Sequence, residues 1–259
     1  MISNEKVREI FGQIVDLPDV VAGFKRASER GNNNYRCDSR ISLQIIRGEP
    51  ARNWVGAPKG SCAECKACFN DFDVIPKYCF DCYKVVIELN KIVDLFRLNI
   101  LFDNIKLPRN NSRKCMLDMR KHTTGSYKGF VYCRGLDEAD ALCKVLQDEV
   151  TEAISPDVTV SVKRGCSEYA LKYPEYAEIN RDSDGFQYPD NWKFYEDYVE
   201  RCWVFSDKVD SFDEDGLGID PMREVLAYQW WLKFAASKGD ESYLIVTGNK
   251  VIEPFSQSR

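Results

Sequence analysis

The chain has 259 residues, 44% of them apolar and 12% aromatic, enough to fill the core of one large domain or two small ones. No apolar run reaches the roughly 18 residues of a membrane-spanning helix, and Met1 to Lys6 has neither the basic nor the apolar region of a secretory signal. The expectation is a soluble, cytoplasmic protein without membrane insertion or secretion. A net charge of −5 repels polyanions at long range, which makes a protein partner a better expectation than bulk nucleic acid.

In chain order, Ser3 caps a first helix with Val7, Ile10, Phe11 and Ile14 on one face, and Pro18-Asp19 opens a second that Gly31 ends. Ile41, Leu43 and Ile45 alternate as in a strand, closing an N-terminal region over 1–58. A cysteine-rich module over 59–105 follows, in which a helix is expected from Tyr83, carried by Val86, Leu89, Ile92, Val93 and Phe96 and finished before Pro108. Residues 104–126 read as a loop. Within it "RNNSRKCMLDMRK", with five positive charges and one Asp, reads as a solvated basic surface.

The remainder, 126–259, reads as an α+β domain. "GFVYC" is a strand, "LDEADALCKVLQDEVTEAI" a helix with Ala139, Leu142, Cys143, Leu146 and Val150 on one face, and "VTVSVK" a second strand. This β-α-β unit predicts a small ferredoxin-like sheet with a helix on one face. Residues 167–191 read as a long connection, and helical spacing returns through Trp192, Tyr195, Val199 and Cys202. Asp220-Pro221 opens a further helix that Gly239 stops, and "YLIVTGNKVI" carries a hairpin signal at Gly248-Asn249.

Five of the eleven cysteines fall between residues 62 and 82. The odd total and the C-x-x-C spacing suggest reduced thiols and a metal rather than disulfides. Cys62-x-x-Cys65 and Cys79-x-x-Cys82 each offer two thiolates to adjacent corners of a tetrahedron, so the four are expected to close a structural zinc site. With a hairpin at "FNDFDVIPKY" between the pairs and a helix after the second, residues 60–100 resemble a treble-clef zinc finger, a resemblance that implies metal but no particular activity. Cys68 is an alternative ligand: Cys62-x-x-Cys65-x-x-Cys68 also resembles the opening of a bacterial ferredoxin motif, which leaves an iron–sulfur cluster as the alternative cofactor.

Other chemistry is sparse. His122 is the only histidine and lies in a polar segment, which excludes histidine-rich catalytic zinc and the HNH nucleases. "KRGCSEY" sets Lys163, Arg164 and Cys166 at a strand end before or after a glycine, where ligand contacts often lie, and Cys166 is the candidate nucleophile or, more simply, a buried thiol. "DSFDEDGLGID" lacks the terminal Glu of a calcium loop. "YKGFVYCRGLDEADALCKVL" resembles the third strand and second helix of an RNA-recognition motif, which implies base stacking on Phe130 and Tyr132. Trp230 and Trp231 stand side by side on a helix, so one points away from its core face and, with the other aromatics of 186–234, suggests a partner surface. The expected function is therefore a scaffold, adaptor or assembly subunit. Nucleic-acid binding and cysteine-dependent or iron–sulfur chemistry are its alternatives.

Overall fold

A computed structural model describes residues 44–47, 62–119, 125–181, 185–202 and 221–249. The expected N-terminal helices, His122, the acidic stretch at 210–220 and Asp220 lie outside these residues. The described chain divides into two compact units, one drawn from 46–90 and 94–218, the other from 44–45, 91–93 and 221–249.

The larger unit is built on an antiparallel sheet. Strand β1 (Gln44–Arg47) is followed by helix α1 (Cys62–Phe72), a 3-10 turn over Lys77–Asp81, strand β2 (Cys82–Leu89) and helix α2 (Ile92–Asn104). Strands β3 (Arg113–Leu117) and β4 (Tyr127–Arg134), helix α3 (Gly135–Ala153) and strand β5 (Thr159–Arg164) come next. Five strands lie in the order β1-β3-β4-β2-β5, with β2 antiparallel to both β4 and β5, and β3 antiparallel to β4. From β2 onward the chain therefore runs strand, helix, strand, strand, helix, strand, and its first and third strands are the central pair of those four.

One face of the sheet carries the helices. Val85, Ile87, Leu89, Val131 and Cys133 are buried there, and α3 turns its expected face, Ala139, Leu142, Leu146 and Val150, inward. The N-terminal end of α3 is held by Glu138, whose Oε2 accepts from the Arg134 amide at 2.5 Å, relieving one of the donors a helix start leaves unpaired. Gly129 lets α2 approach β4: a Cβ there would stand 2.4 Å from Leu98 Cδ2 and 3.3 Å from the Phe102 ring. We expect Gly129→Ala to cost about 1–3 kcal/mol through overpacking, read as a lower urea midpoint at unchanged slope.

Several expectations are corrected. The segment from Tyr83 is strand β2, and the helix starts only at Ile92. Between the cysteine pairs the chain forms α1 and a 3-10 turn instead of the expected hairpin. The expected loop at 104–126 contains β3, whose Arg113 is buried and donates from Nε to the Phe102 carbonyl at 2.6 Å, so this charge is not part of a solvated basic surface. The connection at 167–191 holds short helices α4 (Ser167–Lys172) and α5 (Pro174–Ala177), then a 3-10 turn at Asp190–Trp192 that leads into α6 (Lys193–Cys202).

In the smaller unit α7 (Pro221–Lys238) has the expected bounds and ends at Gly239, whose φ is +80°. Ala227, Trp231 and Ala235 form its buried stripe. The first strand of the expected C-terminal hairpin is replaced by α8 (Tyr243–Val246) and a turn, and its second strand, from residue 250, lies outside the described residues. Asp240 and Ser242 account for this: their side chains accept from the Ile92 amide at 2.6 Å and the Val93 amide at 3.3 Å, while successive local backbone bonds close 240–249 into helical turns. No described helix is long and apolar enough to cross a membrane.

Candidate functional site

Three stretches of chain bring cysteines to one end of the sheet. Cys62 and Cys65 lie three residues apart on α1, so they share a face of that helix. Cys79 sits in the 3-10 turn, and its carbonyl accepts from the amide of Cys82, the first residue of β2. Cys166 follows β5 after a single residue, Gly165. The pairing Tyr83 with Arg164 runs off the end of the sheet into a further bond, from the Gly165 amide to the Cys82 carbonyl at 2.7 Å, which fixes Cys166 beside the second cysteine pair.

Aromatic side chains wall this corner. Cys79 and Cys166 both pack against the buried cluster of Ile75, Phe80, Tyr169 and Tyr176. Cys79 Sγ lies 3.6 Å from the Tyr169 hydroxyl, and the Tyr176 hydroxyl donates to the Cys79 carbonyl. Arg164 stacks between Phe80 and Tyr176, with its guanidinium carbon 5.0 Å from each ring centre, and donates from Nε to the Phe80 carbonyl at 3.0 Å. Phe186, Tyr188 and Trp192 close around Phe80, so this part of the aromatic surplus is internal.

The thiols act on one another electrostatically. Cys62 opens α1 with an exposed edge, yet its surroundings are dense enough that desolvation, then Cys166, Cys65 and Cys82, push its pKa up to about 12. Burial lifts Cys82 to about 11, with Cys166 and Cys65 adding to it and Lys84 opposing. Cys79 is raised by its hydrogen bond with Cys65, then by burial and by the Cys65, Cys166 and Cys82 charges. For Lys84 burial works to lower the pKa, but Cys166, Tyr132, Cys82 and Cys62 outweigh it and favour the ammonium. The corner is thus rich in soft donors with a buried cation alongside. As the side chains stand, no group of three or more His, Cys, Asp or Glu among the described residues is arranged to hold a metal ion.

Cys68 is buried on α1, raised to about 12 by burial and then by Glu196, Cys65, Glu64 and Asp71, so Cys65 is the one member of the corner among these neighbours. Phe130 and Tyr132 lie on the sheet face opposite the helices, in register with Lys84, Val86 and Lys114. Lys84 Nζ is 5.7 and 5.4 Å, and Lys114 Nζ 5.4 and 5.8 Å, from the centres of the Phe130 and Tyr132 rings. Phe130 is 6% exposed, and Tyr132 is half-buried. On that same face Lys163 pairs across from Lys84 and donates to Ser167 Oγ, whereas Arg164 points to the aromatic wall. Trp230 and Trp231 belong to the smaller unit, Trp231 fully buried and Trp230 half-buried.

Sequence reasoning missed Tyr169 and Tyr176 as the wall of the corner; it placed Arg164 beside Cys166 at the strand end but read both apart from the other cysteines. The one usable signal was Gly165-Cys166 directly after a predicted strand. The comparisons are uniform: no family model matches the chain, and neither a curated protein nor a solved structure matches it.

Proposed function

We propose that the protein is an intracellular binding protein, a scaffold, adaptor or assembly subunit, whose cysteine corner takes one zinc ion as a structural clamp. The observation that carries this reading is the convergence of Cys62, Cys65, Cys79, Cys82 and Cys166 from three separate stretches on one end of the sheet. Thiolate donors of this number suit zinc, and since no three of them are arranged around an ion as they stand, binding requires them to move together. When bound, the ion would supply folding energy by tying α1, the 3-10 turn and the end of β5 together. The docking role is supported by α6, where Phe194 is 67% exposed and Tyr195 and Tyr198 are exposed beside Phe72.

Metal analysis and an absorption spectrum on anaerobically purified protein test the clamp. We expect about one zinc per chain without visible absorption. Iron with a broad visible band would replace zinc by a cluster, and no metal at all would remove the reading. Cys82→Ser is expected to release the metal and open residues 62–89 to proteolysis, while a folded, protease-resistant variant without metal would contradict the clamp.

A second reading has one specific observation in its favour. The strand-helix-strand-strand-helix-strand order and the pairing of Lys84 and Lys114 with the Phe130 and Tyr132 rings suit a ferredoxin-like, RNA-recognition-motif-like sheet that stacks bases. The burial of Phe130 leaves Tyr132 as the accessible ring, which ranks this reading second. Binding of a single-stranded oligonucleotide that weakens steeply with salt would favour it, and no binding at low salt would remove it.

A further inference from the structure

We propose that the gap between Phe130 and Tyr132, on the sheet face opposite the helices, binds a phosphate group between the Lys84 and Lys114 ammonium groups. The proposal is independent of what the cysteine corner holds and of any stacking of bases.

The lysines of this face differ in how they are partnered. Strands β2, β3, β4 and β5 each place one there: Lys84, Lys114, Lys128 and Lys163. Lys128 Nζ lies 3.5 Å from Asp118 Oδ2 and 3.7 Å from Glu88 Oε1, and Lys163 donates to Ser167 Oγ. Lys84 is 8% exposed, and its Nζ is 5.7 and 5.4 Å from the Phe130 and Tyr132 ring centres. Among the described residues, no carboxylate or carbonyl oxygen accepts from it. Ring faces attract an ammonium but replace only part of the hydration it has lost, so a cation buried in this way gains more from an anion than a solvated lysine does.

Lys114 makes the site two-sided. From the other side of β4 it brings its Nζ to 5.4 and 5.8 Å from the same two ring centres. Two ammonium groups from the strands flanking β4 thus converge on one gap and repel each other, and one anion between them replaces that repulsion by two attractions. Charge selects the class of anion. Two ammonium groups match a dianion, and a phosphate group carries about −1.5 to −2 at pH 7 together with strong acceptor oxygens. Lys114 and Tyr132 are half-buried while Phe130 and Lys84 are buried, so the gap is reached past Tyr132 and is partly shielded from water, which strengthens the attraction. The phosphate has two sources, free phosphate and a phosphate ester. Tyr132 distinguishes them, because an aromatic ester gains a ring contact there.

Calorimetric titration of the full chain with inorganic phosphate and with phenyl phosphate, at low ionic strength in a phosphate-free buffer, tests the proposal. About one phosphate per chain is expected, with affinity that falls as salt is added. Lys84→Met and Lys114→Gln are each expected to weaken binding by more than about tenfold, the loss of one charge-assisted contact, and Lys163→Gln by less than about twofold. Tighter binding of phenyl phosphate assigns the site to esters, and equal or weaker binding assigns it to free phosphate. No saturable binding by the wild-type chain overturns the proposal. An equal loss in all three variants also overturns it, since that marks general attraction to a basic face. Binding untouched by Lys84→Met overturns it as well, because the charge of Lys84 is then balanced from the side of the cysteine corner. If Lys84→Met does not fold, Lys114→Gln, at a half-buried position, decides alone: wild-type affinity in that variant overturns the proposal.

Discussion

Gly165→Ala is expected to destabilise the larger unit by about 2–5 kcal/mol, as the sum of a left-handed backbone penalty of about 1–2 and an overpacking cost of about 1–3 kcal/mol. The residue has a φ of +50°, and a Cβ there would stand 1.9 Å from the Tyr176 hydroxyl oxygen and 2.5 Å from its ring. Tyr176 is fully buried, wedged against Phe80 and Tyr169, and its hydroxyl is committed to the Cys79 carbonyl, so it has little room to retreat. Gly135→Ala separates the two contributions: φ is +79° there, and nothing lies within 4 Å of the added methyl. Urea denaturation of both variants should give Gly165→Ala the larger loss by the overpacking share. Equal losses would mean that Tyr176 does not wedge the turn, and the account of how Cys166 is positioned would fail with it.

The sequence made α3 and its flanking strands legible because their burial is one-sided. Ala139, Leu142, Leu146 and Val150 recur at helical spacing, and β4 and β5 flank them at short distance. β2 was misread because both its faces are buried: Lys84 and Val86 on one, Val85, Ile87 and Leu89 on the other. A strand covered on both sides has no alternation to detect. Tyr83, Val86, Leu89, Ile92, Val93 and Phe96 then satisfy helical spacing by accident across the turn at Asn90-Lys91, where the real change of element occurs. β3 was hidden differently, since Arg113 and Lys114 look like surface charge. Tertiary partners explain them: Arg113 donates to the carbonyls of Phe102 and Asn111 and to Asn110 Oδ1, and Lys114 lies over two rings.

The cysteine corner was half legible for a related reason. The C-x-x-C pairs are local and could be read as donors, but three-residue spacing in "CAECKAC" is also helical spacing, and Ala, Glu and Lys between the cysteines favour the helix that forms. Cys166 joins them only through the pairing of β2 with β5, a long-range contact that no local pattern encodes. A predicted β-α-β unit located β5 correctly and still left its neighbour undefined. What the spacing of cysteines could not supply was the order of strands in the sheet.

The same strand order governs the opposite end of that face, where Lys128→Met is expected to cost about 3–5 kcal/mol. Lys128 Nζ lies 3.5 Å from Asp118 Oδ2 and 3.7 Å from Glu88 Oε1; the lysine side chain is 6% exposed, that of Asp118 0% and that of Glu88 37%. Removing the cation takes a charge partner from the buried Asp118 carboxylate, and weakening a buried ion pair from one side is costly. Glu88→Gln removes a half-exposed partner and should cost less than about 1 kcal/mol. A double variant, Lys128→Met with Asp118→Asn, removes both charges and should recover part of the loss, because the buried carboxylate whose charge balance the single variant upsets is then neutral. Cys82 opens β2 and Glu88 is its next-to-last residue, so the two lie about 20 Å apart at the rise of an extended chain. If the larger unit unfolds as one cooperative body, Lys128→Met lowers the denaturant midpoint for exposure of Cys79 and Cys82 by the same amount as it lowers the global midpoint. Thiol labelling during urea titration checks this. An unchanged labelling midpoint would make the cysteine corner a separate folding unit that the sheet's far end does not support.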